Sequence, residues 1–216
     1  MLFPESTYVG KRIPKEGFYS KADLNATQKR AFVEDIESIV WRNLLSENTL
    51  NVSKGEKVTQ IDIIQINLKQ REYNKTILDV IEKAIPRHLV FILTFNSSCK
   101  LCINYKEEFQ KGKYKIVESF STDWLNDGEA VLNIQGHDLD RVYENFVYQI
   151  AKGRIIKTDG VELSETIKQS QEIEKINKRI AELEVKKRKE KQFNMQLRIA
   201  GEIKRLKLKI NTYTYI

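Results

Sequence analysis

Leu89-Val90-Phe91-Ile92-Leu93 is five apolar residues with no polar interruption, and its reading decides the fold. A run that short and unbroken is a strand covered on both faces, the place of a middle strand in a sheet packed with helices. It closes a strand–helix–strand unit over residues 58–95. The first strand, 58–69, sets Ile61 and Ile63 on one face and Ile64, Ile66 and Leu68 on the other. That change of parity predicts a bulge near Ile63-Ile64. A helix over 74–85 turns Ile77, Val80, Ile81 and Ala84 inward and stops at Pro86, because the residue before a proline avoids helical backbone. A strand over 88–95 follows, so the unit is a crossover, right-handed with parallel strands.

Upstream, residues 1–22 contain Pro4, Gly10, Pro14 and Gly17. They read as an irregular extended segment that packs through Phe3, Tyr8, Ile13 and Phe18. Asn25-Ala26-Thr27-Gln28 has the spacing of a capping box. Phe32, Ile36, Ile39, Val40 and Leu44 then recur at helical intervals and predict one helix through Leu45, with Trp41 packed near its end. Residues 46–57 read as a loop with an extended piece at Leu50-Asn51-Val52.

Downstream, Asn96-Ser97-Ser98 is turn chemistry. Leu101, Ile103 and Tyr105 alternate with polar residues as a hairpin strand that turns at Lys111-Gly112-Lys113. A partner strand over 114–121 follows, closed by Trp124-Leu125 before Asp127-Gly128, and residues 131–134 read as a further small strand. Leu139, Val142, Tyr143, Phe146, Val147 and Ile150 fall at i, i+3, i+4, i+7, i+8 and i+11, the clearest helix in the chain. The expected architecture is a mixed α/β (α+β) body over 1–153 with a sheet of about four to five strands. A linker over 154–163, turning at Asp159-Gly160, leads to a helical arm over 164–216 with Ser164 as N-cap.

In the arm, Ile173, Ile176, Ile180 and Leu183 step by 3, 4 and 3, and Ile199, Ile203, Leu206 and Ile210 by 4, 3 and 4. The two stripes are out of phase as one heptad register. An antiparallel hairpin reversing near 191–194 explains the break; one long helix with a shifted seam is the alternative. Either way the stripes close on each other, on another protein, or on a second copy as a coiled-coil homo-oligomer.

Charge separates the same two parts. Between residues 165 and 210 there are 14 Lys or Arg against 7 Asp or Glu, and the rest of the chain holds 23 of each sign. The whole surplus of +7 sits in the arm, where Lys186, Lys187, Arg188, Lys189 and Lys191 surround the proposed tip and Lys204, Arg205 and Lys207 follow. Those cations suit DNA phosphates without base reading, or an acidic partner; the ordinary alternative is a solvated coiled-coil surface. No stretch approaches the roughly 18 apolar residues of a membrane span. Met1-Leu2-Phe3-Pro4-Glu5 has no basic segment followed by an apolar one, so no signal peptide and no membrane contact are expected, and a cytoplasmic location is the default.

The remaining chemistry is sparse. Cys99 and Cys102 have Cys-x-x-Cys spacing, but residues three apart on a strand point to opposite faces and no second pair completes a zinc site. Gln65, Asn67 and Lys69 share a polar sheet face. Asn67-Leu68-Lys69 stands where a restriction-type nuclease would place acid-x-Lys, but an amide cannot supply the charge a hard cation needs; Asp62 and Glu72 are the nearby acids. His88 and His137 are explained structurally, by a strand start and a helix start. No catalytic residue, metal site or cofactor is expected from these patterns.

Phe32-Val33-Glu34-Asp35-Ile36-Glu37-Ser38-Ile39-Val40-Trp41 resembles the prokaryotic family called domain of unknown function 4391. So do Ile81-Glu82-Lys83-Ala84-Ile85-Pro86-Arg87-His88, Ile103-Asn104-Tyr105-Lys106-Glu107, Val142-Tyr143-Glu144-Asn145-Phe146 and Lys189-Glu190-Lys191-Gln192-Phe193-Asn194. The resemblance implies a setting beside helicases and DNA methyltransferases of restriction and phage-defence clusters, and it carries no catalytic residues. The expected function is therefore a non-enzymatic accessory or adaptor subunit, docking through its arm on a helicase, a methyltransferase or DNA. The alternatives are a metal-dependent nuclease with a degenerate acid-x-Lys strand and a sequence-independent DNA-binding module.

Overall fold

The computed structural model describes residues 3–19, 24–110, 112–126, 128–158 and 160–214, without the side chain of Thr214. The expected turn residues Lys111, Asp127 and Asp159, and residues 1, 2 and 20–22 of the N-terminal reading, lie outside the described residues. The chain divides into two compact units, Met1–Lys152 and Gly153–Ile216.

In the first unit the elements run β1 (Tyr8–Ile13), α1 (Glu16–Tyr19), α2 (Ala26–Glu34), β2 (Ile36–Ser46), α3 (Glu47–Leu50), β3 (Gln60–Leu68), α4 (Thr76–Ala84), β4 (His88–Phe95), β5 (Ser98–Gln110), β6 (Lys113–Ser121), β7 (Leu125–Asn126) and α5 (Leu139–Ala151). The sheet has the order β1-β2-β3-β4-β5-β6, with β7 also on β5. It is mixed, as expected, but has seven strands where four to five were read. β3 and β4 are parallel through α4, in unbroken register from Ile61↔His88 to Asn67↔Thr94, and the other pairings are antiparallel.

β4 is covered on both faces. Leu89, Phe91 and Leu93 join a core with Phe32 of α2 and Ile77, Val80 and Ile81 of α4. Val90 and Ile92 point to the opposite face by strand alternation and are equally buried. α5 packs on β3, β5 and β6 with Leu139, Val142, Phe146, Val147 and Ile150 buried. The two parities of β3 have the same cause: Ile64, Ile66 and Leu68 face the α2–α4 core, while Ile61 and Ile63 are buried outside it. The predicted bulge does fall opposite Ile63-Ile64, but in β2, where the register shifts between Trp41 and Asn43.

The largest correction is at residues 36–46. The capping box forms, with Asn25 Oδ1 accepting from Gln28 N–H at 2.8 Å and Gln28 Oε1 from Asn25 N–H at 3.1 Å. The helix nevertheless stops at Glu34, and β2 follows at once. Asp35 holds the junction: its carboxylate accepts from Asn74 N–H and the Gln70 amide, and its carbonyl accepts from Lys69 N–H. Ile36 and Ile39 both reach the α2–α4 core although they are three apart, because the register shifts between Ile36 and Ser38. An extra residue in a strand thus imitates a helical step.

Smaller corrections share a local origin. Residues 8–13, read as irregular, form edge strand β1. Gly10 at φ +63° takes up its register shift with the Tyr8 ring folded over it, and Tyr8 is exposed, while Phe18 is buried. Leu50 ends a single helical turn, not an extended piece, with Asn51 left-handed. Residues 131–134 form no strand; Leu132 is buried there but Val131 is exposed.

The second unit is a helical hairpin, α6 (Leu163–Lys189) and α7 (Phe193–Thr214). Ile176, Ile180 and Leu183 close on Ile199 and Ile203, with Leu206 and Ile210 packed beside them. Arg179 bridges to Glu202 across the pair at 3.2 Å. The reversal occupies residues 190–192, so the single-helix alternative is removed. α6 begins at Leu163 with Glu162 at the N-cap, two residues before the expected cap Ser164. No helix among the described residues is long and apolar enough to cross a membrane.

One contact ties α5 to the loop before β3. The Asp140 carboxylate accepts from the backbone N–H groups of Glu56 (2.8 Å), Lys57 (3.1 Å) and Val58 (2.7 Å). Any side chain at Gly55 would strike that carboxylate. Successive N–H groups wrapped around one anion form a nest. Asp140→Asn removes the charge and should cost about 1–3 kcal/mol of stability in urea unfolding; a loss below about 0.5 kcal/mol would show that water replaces the carboxylate.

Candidate functional site

The densest group of buried charge lies where β4 begins. On α4, Leu78 and Glu82 are one turn apart, which sets Glu82 on the apolar side of the helix. On β5, Asn104 and Lys106 point toward it. Lys106 Nζ lies 2.6 Å from Glu82 Oε2, with each side chain 3% exposed. The Asn104 amide donates to the other carboxylate oxygen at 3.4 Å, and Lys106 also donates to the Arg87 carbonyl. Burial pushes the Glu82 carboxyl above the usual carboxylate range, against the opposing pull of Lys106 and Asn104. Tyr143 of α5 donates its hydroxyl to the Asn104 carbonyl at 2.7 Å, and burial, then the charge of Glu82, hold its phenol protonated.

His88 stands among these groups, edge-on to Tyr143 at 4.6 Å and Tyr114 at 5.4 Å. Burial, reinforced by the Lys106 charge, lowers its pKa to about 3, so it is a neutral packing group at ordinary pH. A second buried acid, Asp62, meets Arg87 at 2.9 Å. Burial pushes its carboxyl upward while Arg87 and the Gln60 amide oppose. Arg87 also lies over the Trp41 ring at 5.6 Å.

A cleft of about 770 Å³ opens between α4 and the β5–β6 hairpin, lined by Asp79, Lys83, Phe109, Lys113, Lys115 and Ser119 together with the buried pair. Lys106 faces it with its ammonium already held by Glu82, the Arg87 carbonyl and, at 5.3 Å, the Tyr114 ring. That saturation makes it an anchor for the hairpin, not a nucleophile. Sequence reasoning missed the pair: Glu82 and Lys106 lie 24 residues apart on different elements, and neither position alone marks a buried charge.

The residues singled out in sequence fall elsewhere. Gln65 and Asn67 do share a face and are bound together: the Gln65 amide donates to Asn67 Oδ1 (2.8 Å), Thr94 donates to the same oxygen (2.6 Å), Asn67 donates to Ser38 (2.7 Å), and Arg42 to Gln65 (3.2 Å). Lys69 lies past the end of β3, and its amine caps α2 through the Val33 carbonyl at 2.7 Å. Asn67 and Lys69 thus have separate structural jobs. Glu72 is exposed, Asp62 is committed to Arg87, and no group of three His, Cys, Asp or Glu among the described residues could hold a metal ion. Cys99 and Cys102 are buried, and burial pushes the Cys102 thiol up to about 11. His137 is a surface group 3.2 Å from Asp138.

Lys186, Lys187, Arg188 and Lys189 form the last turn of α6, where cations also favour the negative end of the helix dipole. They and Lys191 in the reversal are all exposed, as are Lys204, Arg205 and Lys207 on α7. Lys207 reaches Glu184 across the hairpin at 3.5 Å.

The resemblance noted in the sequence is borne out. A family model described as Domain of unknown function (DUF4391) matches residues 1–210. No curated protein and no solved structure matches the chain.

Removing one member of the buried pair, by Glu82→Gln or Lys106→Met, should cost about 3–5 kcal/mol, and Glu82→Leu with Lys106→Met should recover most of it. Urea unfolding of the three variants checks this; a double variant as weak as the singles would assign the pair a role beyond charge compensation. For His88 the folded pKa lies below the unfolded one, so its contribution is whole above pH 6.5 and is lost as pH falls from 6.5 toward 3. Stability of wild type relative to His88→Phe should fall by about 1 kcal/mol per pH unit in that window. Parallel curves would contradict a neutral, buried His88.

Proposed function

The chain belongs to the DUF4391 family, and we propose that it is a non-enzymatic accessory subunit of a prokaryotic restriction or phage-defence system. In this reading the helical hairpin docks on a partner helicase or DNA methyltransferase. The observation that carries the proposal is the hairpin itself. Its seam closes on itself, and its tip presents five exposed cations within six residues.

The first unit supports the same reading by what its charges are doing. Glu82, Lys106, Asp62 and Arg87 compensate one another, and Asn67 and Lys69 are held by Ser38, Thr94 and Val33. Those contacts weigh against a nuclease built on acid-x-Lys. A second reading, DNA contact without base recognition, has its own observation: a compact cluster of Lys and Arg can neutralise backbone phosphates.

Charge reversal at the tip (Lys186→Glu, Lys187→Glu, Arg188→Glu, Lys189→Glu together) touches only exposed side chains, so the helical circular dichroism should persist. Co-purification with the proposed helicase or methyltransferase partner should drop by about tenfold or more. Duplex DNA titrated with salt tests the second reading, which expects a log–log slope of about −0.9 per phosphate contact and a flatter slope in the variant. Partner capture and DNA binding both indifferent to the reversal would remove the tip as a binding surface.

A further inference from the structure

The hairpin seam occupies one face of α7, through Ile199, Ile203, Leu206 and Ile210. A second stripe runs along the same helix: Phe193, Leu197, Gly201 and Leu208, at steps of 4, 4 and 7. Leu197 precedes Ile199 by two residues and Leu208 follows Leu206 by two, an offset of about 200° around the axis, so this stripe points away from α6. Phe193 is 69% exposed, Leu197 55% and Leu208 57%. From Phe193 to Leu208 the stripe covers about four turns, roughly 22 Å. Isolated surface leucines need no explanation, but three large apolar residues in register on a helix already packed on its other face do.

Two further observations say what would cover it. Gly201 interrupts the middle of α7, where glycine costs about 1 kcal/mol against alanine, and nothing lies within 4 Å of where its Cβ would be. Packing inside the hairpin therefore does not require it, whereas a missing side chain in the centre of an exposed stripe lets a second backbone approach closely. α7 is cationic around it, with Lys204 on the stripe between Gly201 and Leu208, and Arg198, Arg205, Lys207 and Lys209 beside it against Glu202 alone. Glu202 is already engaged by Arg179 of α6, and Lys207 reaches Glu184. A second copy of α7 would set like charge against like charge. A phosphate backbone would gain nothing from Phe193, Leu197 and Leu208.

We propose that the outer face of α7 receives an amphipathic helix of a partner protein, its apolar stripe flanked by Asp and Glu and its axis crossing at Gly201. The inference rests on the docking reading above and specifies the partner's chemistry. Helix-in-groove recognition works through anchors on one helical face. Phe193 and Leu197 supply an i, i+4 pair, and Leu208 lies on the same face about three turns further on. The acidic flanks contribute selectivity and association rate more than affinity.

The test uses the full chain and three synthetic helices of about three heptads: a leucine seam with Glu flanks, the same seam with Lys flanks, and Glu flanks with the seam leucines replaced by Ser. Fluorescence anisotropy should show the first peptide binding at least about tenfold more tightly than the other two. Leu197→Ser with Leu208→Ser, and separately Gly201→Leu, should each weaken it by about tenfold or more. Gly201→Leu is the cleaner variant, because it raises helix propensity in open space and so cannot act through unfolding. No binding of the Glu-flanked peptide, equal binding of the Lys-flanked one, or indifference to these variants overturns the proposal. So does a dimer of the chain that Leu208→Ser dissolves, or adsorption to phosphatidylserine vesicles without peptide selectivity. Carrying the stripe variants through the partner co-purification separates the two claims. Capture that needs the tip cations but ignores Leu197 and Leu208 sinks this inference and leaves the docking reading intact, whereas capture indifferent to both sinks both.

Discussion

Burial of β4 on both faces is the constraint the first unit is built around. Leu89, Phe91 and Leu93 need the α2–α4 layer, and Val90 and Ile92 need cover on the reverse. A parallel pairing with β3 satisfies that need, because the crossover brings its own covering helix, α4, onto the sheet. Each side chain of the five-residue run buries on the order of 2 kcal/mol of apolar surface, so the run cannot be placed at an edge without losing most of what orders the sheet. The antiparallel additions, β2 on one side and the β5–β6 hairpin on the other, then finish the backbone hydrogen bonding of this central pair.

That doubly covered centre sets the terms for charge. A carboxylate or ammonium drawn into such a layer is expensive unless it is paired and its other hydrogen-bonding positions are filled. Glu82 and Lys106 meet both conditions through Asn104 and the Arg87 carbonyl, and Asp62 meets them through Arg87 and Gln60. The two pairs therefore work as fasteners between α4, β3, β4 and β5. His88 in their midst contributes as a ring, with Lys106 helping to keep it uncharged.

How far this was legible in the sequence depends on whether a pattern was local. α5 and α4 were plain because their apolar residues keep one period from end to end, and the hairpin because two seams failed to share a phase. Residues 36–46 misled for a physical reason: register shifts beside Glu37 and Arg42 space Ile36, Ile39 and the residues after them as a helix would. Nothing in a single chain says which residue a strand will absorb as a bulge. The Glu82–Lys106 pair was illegible in a different way. Its members are 24 residues apart on different elements, and each alone looks like an ordinary surface charge. In the polar row Gln65, Asn67, Lys69 the first two are joined by a hydrogen bond, while Lys69 runs beyond the strand and finds the end of α2.

The second unit follows the opposite economy. Its seam is five buried aliphatic residues, too small a core to account for two helices of 27 and 22 residues, and most of its remaining surface is charged. A helix can sustain such a surface through pairs three or four residues apart, and α6 does so with Glu172–Lys175, Glu174–Lys178 and Arg179–Glu182. α7 does not have the acids for that. It carries five cations against one carboxylate, a glycine at its centre and three exposed large apolar side chains, each of which weakens an isolated helix or leaves it unsatisfied. A sequence selected only to close the hairpin would have put alanine, glutamate and lysine there. The departures all lie on or beside one face and all have the sign that an acidic, apolar-striped helix would answer, which is why α7, and not the cleft of the first unit, is where a partner's contribution is read.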